Sequence, residues 1–393
     1  MGVEIPINPK LITWARETAG YTLEELASAS GFSRLPEWEA GERFPTYAQL
    51  EKIADKLHRP IAVFFFPEPP DETGIEKSLR AMTEEDVQKL SPLIRQLFRK
   101  AKAFQLSLRE LWEENPEHRN TVQWMKSVNT QNVKALAKEV REILGVSLEQ
   151  QKKWKNSDEA LKNWRNVLAI KGVYVFKEAF KAERIAGFCI YDDFYPIIFL
   201  NNSLSKNRQI FTMFHELGHI LFKDSYLDVF DARFWELEHL QPAHIEVKCN
   251  AFAGEFLVPE ADIISHLPTN PLDRESLMRL ADAYHVSRDV MLRKFLNLKV
   301  INQQTYEHQI REWSQSFQEK QEAADSTNKK SEGNYYNSKI AYLGDAYLSL
   351  VLRSYSRGQI SMEEAASHLD VKMKAFPVIE EKFLSRGGSV VRL

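Results

Sequence analysis

The chain has 393 residues, of which 44% are apolar and 27% are charged, and its formal net charge is −3. This is the composition of a globular protein rather than a disordered one, and the length predicts two to four domains. The charge gives no general attraction to nucleic acid or to an anionic membrane. The only cysteines are Cys189 and Cys249, which excludes a disulfide scaffold and a cysteine-based zinc finger and favours a reducing compartment.

The sequence shows no segment for export or membrane insertion. Its first residues lack a basic region followed by an apolar one, so no signal peptide is predicted. The apolar run Ile61–Phe66 is far shorter than the roughly 20 residues that cross a bilayer. We therefore expect a cytoplasmic protein without a membrane partner.

The first block, residues 1–70, has the pattern of short helices and ends at the proline-rich residues 67–70. Thr22 precedes the second helix and Glu25 follows three residues later, which predicts a capping box. The predicted helices are Leu11–Thr18, Leu23–Ser30 and Tyr47–Leu57.

A helical connector is predicted for residues 71–156, and the pattern changes in residues 157–318. There a helix around Trp164 leads to β-branched and aromatic strands, and a further apolar helix begins near Gln209. Residues 319–334 are polar and predict a flexible linker, with a C-terminal helical segment at 335–393. The predicted fold class is mostly α with a small β-sheet (α+β). The predicted strands are Val173–Phe176, Ile185–Tyr191 and Tyr195–Leu200.

The helix after the last strand contains His215-Glu216-Leu217-Gly218-His219. Histidines at i and i+4 lie on one face of a helix, so both imidazoles can bind one ion, and zinc accepts imidazole nitrogen. Glu216 is placed to accept a proton from a water that the metal activates. Gly218 allows another backbone to approach closely. The sequence therefore predicts a catalytic zinc site, and Mn²⁺ could substitute for zinc there.

A catalytic zinc needs a third protein ligand. A third histidine of the metzincin pattern is absent, because Ser225 stands at its position. The next predicted helix, from about Pro242 to Val258, offers Glu246 and Glu255. They are nine residues apart and so face opposite ways, since each residue adds about 100°. Glu246 is favoured, and Glu255 remains the alternative. For the oxyanion stabiliser the candidates are Tyr226, His239 and His244.

These two segments, Arg208–Phe222 and Glu246–Pro259, resemble the ImmA/IrrE family of metallopeptidases. The family's second motif is Glu-x-x-Ala-Asn-x-Phe-Ala-x-Glu-Leu-Leu-Met-Pro, and the resemblance implies that its first glutamate, here Glu246, is the third zinc ligand. Cys249 stands where the family has alanine, and we interpret it as a small packing residue. The resemblance also implies a zincin-like core, an N-terminal helix-turn-helix, and cleavage of a helix-turn-helix repressor that relieves repression of phage, mobile-element or stress-response genes.

Residues 1–70 resemble the repressor-type (XRE-like) helix-turn-helix in Leu23–Ser33, Trp38–Thr46 and Leu50–Leu57. The sequence nevertheless disfavours duplex DNA binding. The segment Arg34–Glu37 is short, and we expect Pro36 to interrupt the recognition helix, while Glu37, Glu39 and Glu42 would face phosphates. Seven Lys/Arg stand against ten Asp/Glu in residues 1–70, a balance of 7 − 10 = −3, the wrong sign for a DNA footprint. A protein-docking or autoregulatory role is favoured.

Two functions follow from these patterns. The first is a site-specific metalloprotease that cleaves a helix-turn-helix repressor or an antitoxin-like partner. The alternative is a DNA-binding regulator whose protease-like domain binds metal or a partner without catalysis. The intact histidines together with Glu216 favour the first.

Overall fold

The computed structural model describes residues 3–70, 91–113, 121–180, 185–223, 227–229, 243–313 and 335–387, with the backbone alone for 227–229 and 243–244. The predicted fold class is confirmed: the described chain is mostly helical, with one small sheet. It divides into two compact units, Met1–Phe104 and Gln105–Leu393. No helix within the described residues is long and apolar enough to cross a membrane.

Residues 3–70 of the first unit form four short helices around one apolar core. Thr22 and Glu25 form the predicted capping box at the start of the second helix, and the fourth begins and ends at the predicted residues. Leu11, Leu35 and Leu50 are fully buried between them. The helices are α1 (Pro9–Ala19), α2 (Leu23–Ser28), α3 (Leu35–Glu39) and α4 (Tyr47–Leu57), followed by a 3₁₀ turn at Ile61–Phe65.

Two predictions about α3 were wrong. Pro36 lies in the first turn of α3 and does not interrupt it, because a first-turn residue has no helical partner for its N–H and proline fits there. Glu39 does not face outward: its side chain is 10% exposed and accepts a hydrogen bond of 2.7 Å from Arg16 Nε. The helix is short, as expected, with five residues.

The second unit places helices on either side of the sheet in chain order. Asn132, Ser147 and Asn156 cap three of the helices before the sheet with their side chains. Helix α5 (Pro92–Trp112) begins in the first unit and ends in the second. The other helices before the sheet are α6 (Trp124–Ser127), α7 (Val133–Leu144), α8 (Leu148–Lys153) and α9 (Ser157–Ile170). Helix α10 (Lys206–Leu221) lies between the third and fourth strands. After the fourth strand come α11 (Ala243–Leu257), α12 (Glu260–Ile264), α13 (Arg274–Tyr284) and α14 (Arg288–Asn297), and then α15 (Tyr335–Leu343), α16 (Asp345–Ser356), α17 (Met362–His368) and α18 (Phe376–Ser385).

The sheet has four strands in the order β1-β3-β2-β4. The first three lie within a few residues of their predicted bounds, and the fourth was not predicted. Strands β1 and β3 are parallel, with Tyr174 opposite Ile197, whereas β2 is antiparallel to both β3 and β4. The strands are β1 (Tyr174–Glu178), β2 (Ile185–Ile190), β3 (Ile197–Asn201) and β4 (Leu227–Val229).

Strand β2 runs closely along α10. A Cβ atom at Gly187 would lie 2.7 Å from Cγ2 of Thr212 and 2.8 Å from the carbonyl oxygen of Phe199. Any larger residue would push the helix away from the strand, because real Cβ contacts are longer. Glycine at this position therefore sets the distance between the sheet and the helix that carries the histidines.

The opposite face of the sheet is aromatic and meets the C-terminal helices. The Phe176 ring lies 5.0 Å from that of Tyr347 on α16. Arg165 of α9 donates hydrogen bonds to the carbonyls of Val175, Ala341 and Tyr342 at 2.7 to 3.0 Å. This guanidinium joins the C-terminal end of α15 to β1, so the C-terminal segment is packed onto the sheet.

Candidate metal centre

Helix α10 positions the two histidines. Ser205 caps its N-terminus by accepting from Arg208 N, and Ile210, Phe214 and Leu217 are buried in the core. The helix therefore begins at Lys206, three residues before its predicted start at Gln209. His215 and His219 are 2% and 0% exposed, so their imidazoles point into a protected space rather than into solvent.

Helix α11 crosses α10 at Gly218. A Cβ atom there would lie 3.2 Å from the Cα of Cys249, which is tighter than ordinary packing. The absent side chain lets the two backbones approach, as the sequence predicted. Cys249 is fully buried at this crossing, in keeping with its interpretation as a small packing residue. The close approach brings Glu246, one turn before Cys249, over the histidines.

Three donor atoms converge at this crossing. His215 Nε2 lies 3.0 Å from His219 Nε2 and 3.1 Å from Glu246 Oε2, and His219 Nε2 lies 3.0 Å from Glu246 Oε1. Zinc–ligand bonds of about 2.0 to 2.1 Å in tetrahedral geometry separate ligand atoms by about 3.3 Å. The group therefore fits one zinc ion, and it is the only such set of three among the residues that the structure describes.

Asn250 fixes the orientation of His215. Its Nδ2 donates 2.8 Å to the carbonyl of Glu246, so its Oδ1 faces His215 Nδ1 at 3.0 Å. An amide oxygen only accepts, which assigns the proton to Nδ1 and leaves the Nε2 lone pair for a metal. This role of Asn250 was not predicted from the sequence. The signal was the spacing of four residues from Glu246, which puts both side chains on one helix face.

Glu246 carries a negative charge at neutral pH. Burial raises the pKa of its carboxyl group, but when His215 and His219 are protonated, their hydrogen bonds and charge interactions with the carboxylate outweigh burial and hold the pKa at about 2. A cation between the three side chains acts on the carboxylate in the same direction. The charge and the two neutral imidazole nitrogens form a donor set that zinc prefers.

Glu255 lies on the opposite side of α11 from Glu246, as their separation of nine residues predicts. Its Oε2 is 2.5 Å from Lys294 Nζ on α14, with side chains 14% and 9% exposed. Its Oε1 accepts from Glu260 N at 3.1 Å, at the start of α12. Glu255 thus belongs to a buried ion pair that fixes the end of α11.

Glu216 is fully buried and lies between the histidines on α10. A rotation of about 100° from His215 puts it beside the ligand face, on the side of the helix where Thr212, one turn earlier, lies against β2. The remaining predicted residues cannot be compared with the structure: Tyr226 and His239 lie outside the described residues, and of His244 only the backbone is described.

Comparison with known families agrees with this geometry. Residues 169–296 match the peptidase M78 family model, described as an IrrE N-terminal-like domain. The matched range includes His215, His219 and Glu246, and it leaves out residues 1–70. No match is found among curated proteins. The fold and the site thus define a metallopeptidase-like domain, and the match supports the resemblance to ImmA/IrrE for this part of the chain.

Proposed function

We propose that this protein is a zinc-dependent, site-specific endopeptidase of the cytoplasm that cleaves a helix-turn-helix repressor or an antitoxin-like partner. The observation that carries the proposal is the convergence of His215, His219 and Glu246 within 4.8 Å of one another, with Glu216 buried on the same helix. The match to a peptidase family model over the same residues supports it.

The residues have separate tasks in peptide hydrolysis. His215, His219 and Glu246 would hold the ion, which supplies a Lewis acid and lowers the pKa of its water to about 7. Glu216 accepts the proton of the attacking water and returns it to the departing amine. Burial of these side chains lowers the local dielectric and so strengthens each charge interaction.

The helix-turn-helix substrate is proposed from the family resemblance and from charge. A repressor that binds DNA presents a basic surface. Residues 1–70 of this chain carry a net charge of −3, which is complementary to such a surface and favours association with it. We therefore assign substrate docking to residues 1–70 and cleavage to the metal centre.

The test uses the full chain with a small helix-turn-helix repressor encoded in a neighbouring reading frame. The wild type should contain about one zinc per chain by elemental analysis and cleave the repressor. His219→Ala should lose the zinc. Glu216→Gln should keep the zinc and slow cleavage by a factor on the order of 10² to 10⁴.

Each readout can contradict the proposal. Equal zinc content in wild type and His219→Ala would exclude the assigned ligands. Full activity of Glu216→Gln would show that the water is activated by another group. A zinc-loaded wild type that cleaves no partner repressor would favour the non-catalytic regulator.

A further inference from the structure

Two helices begin at the same edge of the sheet. Strands β1 and β3 run parallel and end together, with Glu178 opposite Asn201, and α10 follows β3 after a short turn. Helix α9 begins beside α10, since Asp158 Oδ1 in the first turn of α9 lies 3.5 Å from Lys206 Nζ at the start of α10. The first amides of a helix have no partner within it, so a helix N-terminus attracts anions. Ligands of α/β sheets also bind outside the carboxyl ends of parallel strands.

A buried lysine lies at this edge of the sheet. Lys177 of β1 is 7% exposed. It shares a face of the strand with Val175, which belongs to the apolar core that α9 and α10 cover. The Lys177 side chain makes no hydrogen bond or salt bridge with any residue that the structure describes. Because a buried charge is unfavourable without a partner, this ammonium group indicates an anionic ligand that is not part of the chain.

The charges that act on Lys177 are mainly positive. Burial and the charges of Arg165 and Lys206 lower the pKa of the Lys177 ammonium group to about 7, and the charge of Asp158 opposes them only in part. Three cations and one carboxylate give a balance of 3 − 1 = +2. The outer side of this cluster is open to solvent, because the side chains of Lys206 and Asp158 are 36% and 73% exposed. A small anion can therefore reach the two lysines without a closed cavity.

We propose that this edge of the sheet binds a phosphate dianion between the ammonium groups of Lys177 and Lys206, at the N-termini of α9 and α10. The two charges of the ligand match the local balance, and the ligand displaces the exposed carboxylate of Asp158 from Lys206. Lysine binds phosphate as a point charge. The site is separate from the metal centre, since Lys206 precedes His215 by nine residues, about 13 Å along α10. The proposal does not depend on the peptidase function.

The test is calorimetric titration of the zinc-loaded full chain with inorganic phosphate, which should bind at a single site. Lys177→Met should weaken the affinity by about 10- to 100-fold, the usual effect of losing a hydrogen bond to a charged group. Asp158→Asn should strengthen it about fourfold, for charges about 5 Å apart in water. Lys138→Met is the matched control and should bind as the wild type does, because Lys138 is an exposed lysine of α7, with its side chain 82% exposed. In phosphate-free buffer Lys177→Met should unfold at the wild-type temperature or higher, since it removes a buried charge without a partner.

Sulfate gives a second readout, because it stays doubly charged at every pH of the titration. It binds the protonated form of Lys177, whose pKa without the anion is about 7. Sulfate affinity of the wild type should therefore fall by about tenfold per pH unit above that pKa, and that of Lys177→Met should not. Titration with adenosine monophosphate identifies the source of the phosphate group: tighter binding than inorganic phosphate assigns the site to a phosphate ester, and weaker binding assigns it to the free ion. A wild type that binds neither ligand would overturn the proposal, as would a folded Lys177→Met with wild-type affinity.

Discussion

A single amide links two of the three ligand residues of the candidate metal centre. Asn250 accepts from His215 and donates to the backbone of Glu246. It therefore sets the tautomer of the His215 imidazole. It also fixes the position of the helix turn that carries the Glu246 carboxylate. Such partners of a metal ligand contribute to affinity because they remove the cost of orienting the ligand when the ion binds.

Replacement of Asn250 by leucine should weaken zinc binding by about 10- to 100-fold, the usual effect of losing a ligand's hydrogen-bond partner. Asn250→Asp keeps an acceptor for His215 and should lose less. Competition with a chromogenic chelator measures the affinities. Asn207→Leu is the control, because Asn207 also donates to a backbone carbonyl, that of Val286, but touches no ligand. Wild-type affinity in Asn250→Leu would exclude the positioning role.

At the scale of the element, the register of α11 separates two glutamates with different tasks. Glu246 lies beside the histidines. Glu255, nine residues later and on the opposite side of the helix, pairs with Lys294. The register depends on the crossing at Gly218 and Cys249, since a shift of one residue would rotate both carboxylates by about 100°.

We expect Glu246→Ala to lose zinc while folding is retained, and Glu255→Ala to keep zinc while losing stability. Removing Glu255 leaves the buried Lys294 without its partner, which costs about 3 to 5 kcal/mol. The double variant Glu255→Ala with Lys294→Met should recover much of that loss. Elemental analysis and denaturant unfolding make the measurement. Zinc loss in Glu255→Ala with zinc retained in Glu246→Ala would show that the register is wrong.

Patterns among neighbouring residues predicted those helices and strands whose formation depends on neighbouring residues. Thr22 and Glu25 form a cap within one turn, and the period of the apolar residues identified α10 and the first three strands. The contacts that were not predicted join residues that are far apart in the sequence. Arg16 binds Glu39, which is 23 residues away in the sequence, and so keeps its carboxylate from facing outward. Arg165 binds the carbonyl of Ala341, which is 176 residues away. No local pattern encodes those pairings, because they form only after the helices pack.

Only part of the metal centre could be predicted from the sequence. The spacing of His215 and His219 and the half-turn between Glu246 and Glu255 follow from helix geometry alone. The tautomer of His215 does not, since it depends on where α11 crosses α10. The domain boundaries proposed from composition and the helix-turn-helix assignment remain predictions.

For the molecule as a whole, most of the arginines in residues 1–70 make contacts within that segment and are less available for phosphate contacts. Three of the four arginines in residues 1–70 are engaged within the unit. Arg16 pairs with Glu39 at 2.7 Å and Arg43 lies 3.6 Å from Glu37. Arg59 stacks on the Trp14 ring at 4.3 Å. Since phosphate contacts supply most of the affinity for duplex DNA, this arrangement and the charge of −3 favour a protein partner.

We therefore expect residues 1–70 to give no sequence-specific duplex binding at physiological salt, where true operators are bound with constants of about 10⁻⁸ M or tighter. An anisotropy titration of the full chain against its own promoter region is the measurement, with the chain lacking residues 1–70 as the comparison. The deletion should retain zinc, since the three ligands lie within Gln105–Leu393, but cleave the repressor more slowly through a raised KM. Tight binding by the full chain but not by the deleted chain, weakening steeply with salt, would instead show that residues 1–70 read DNA.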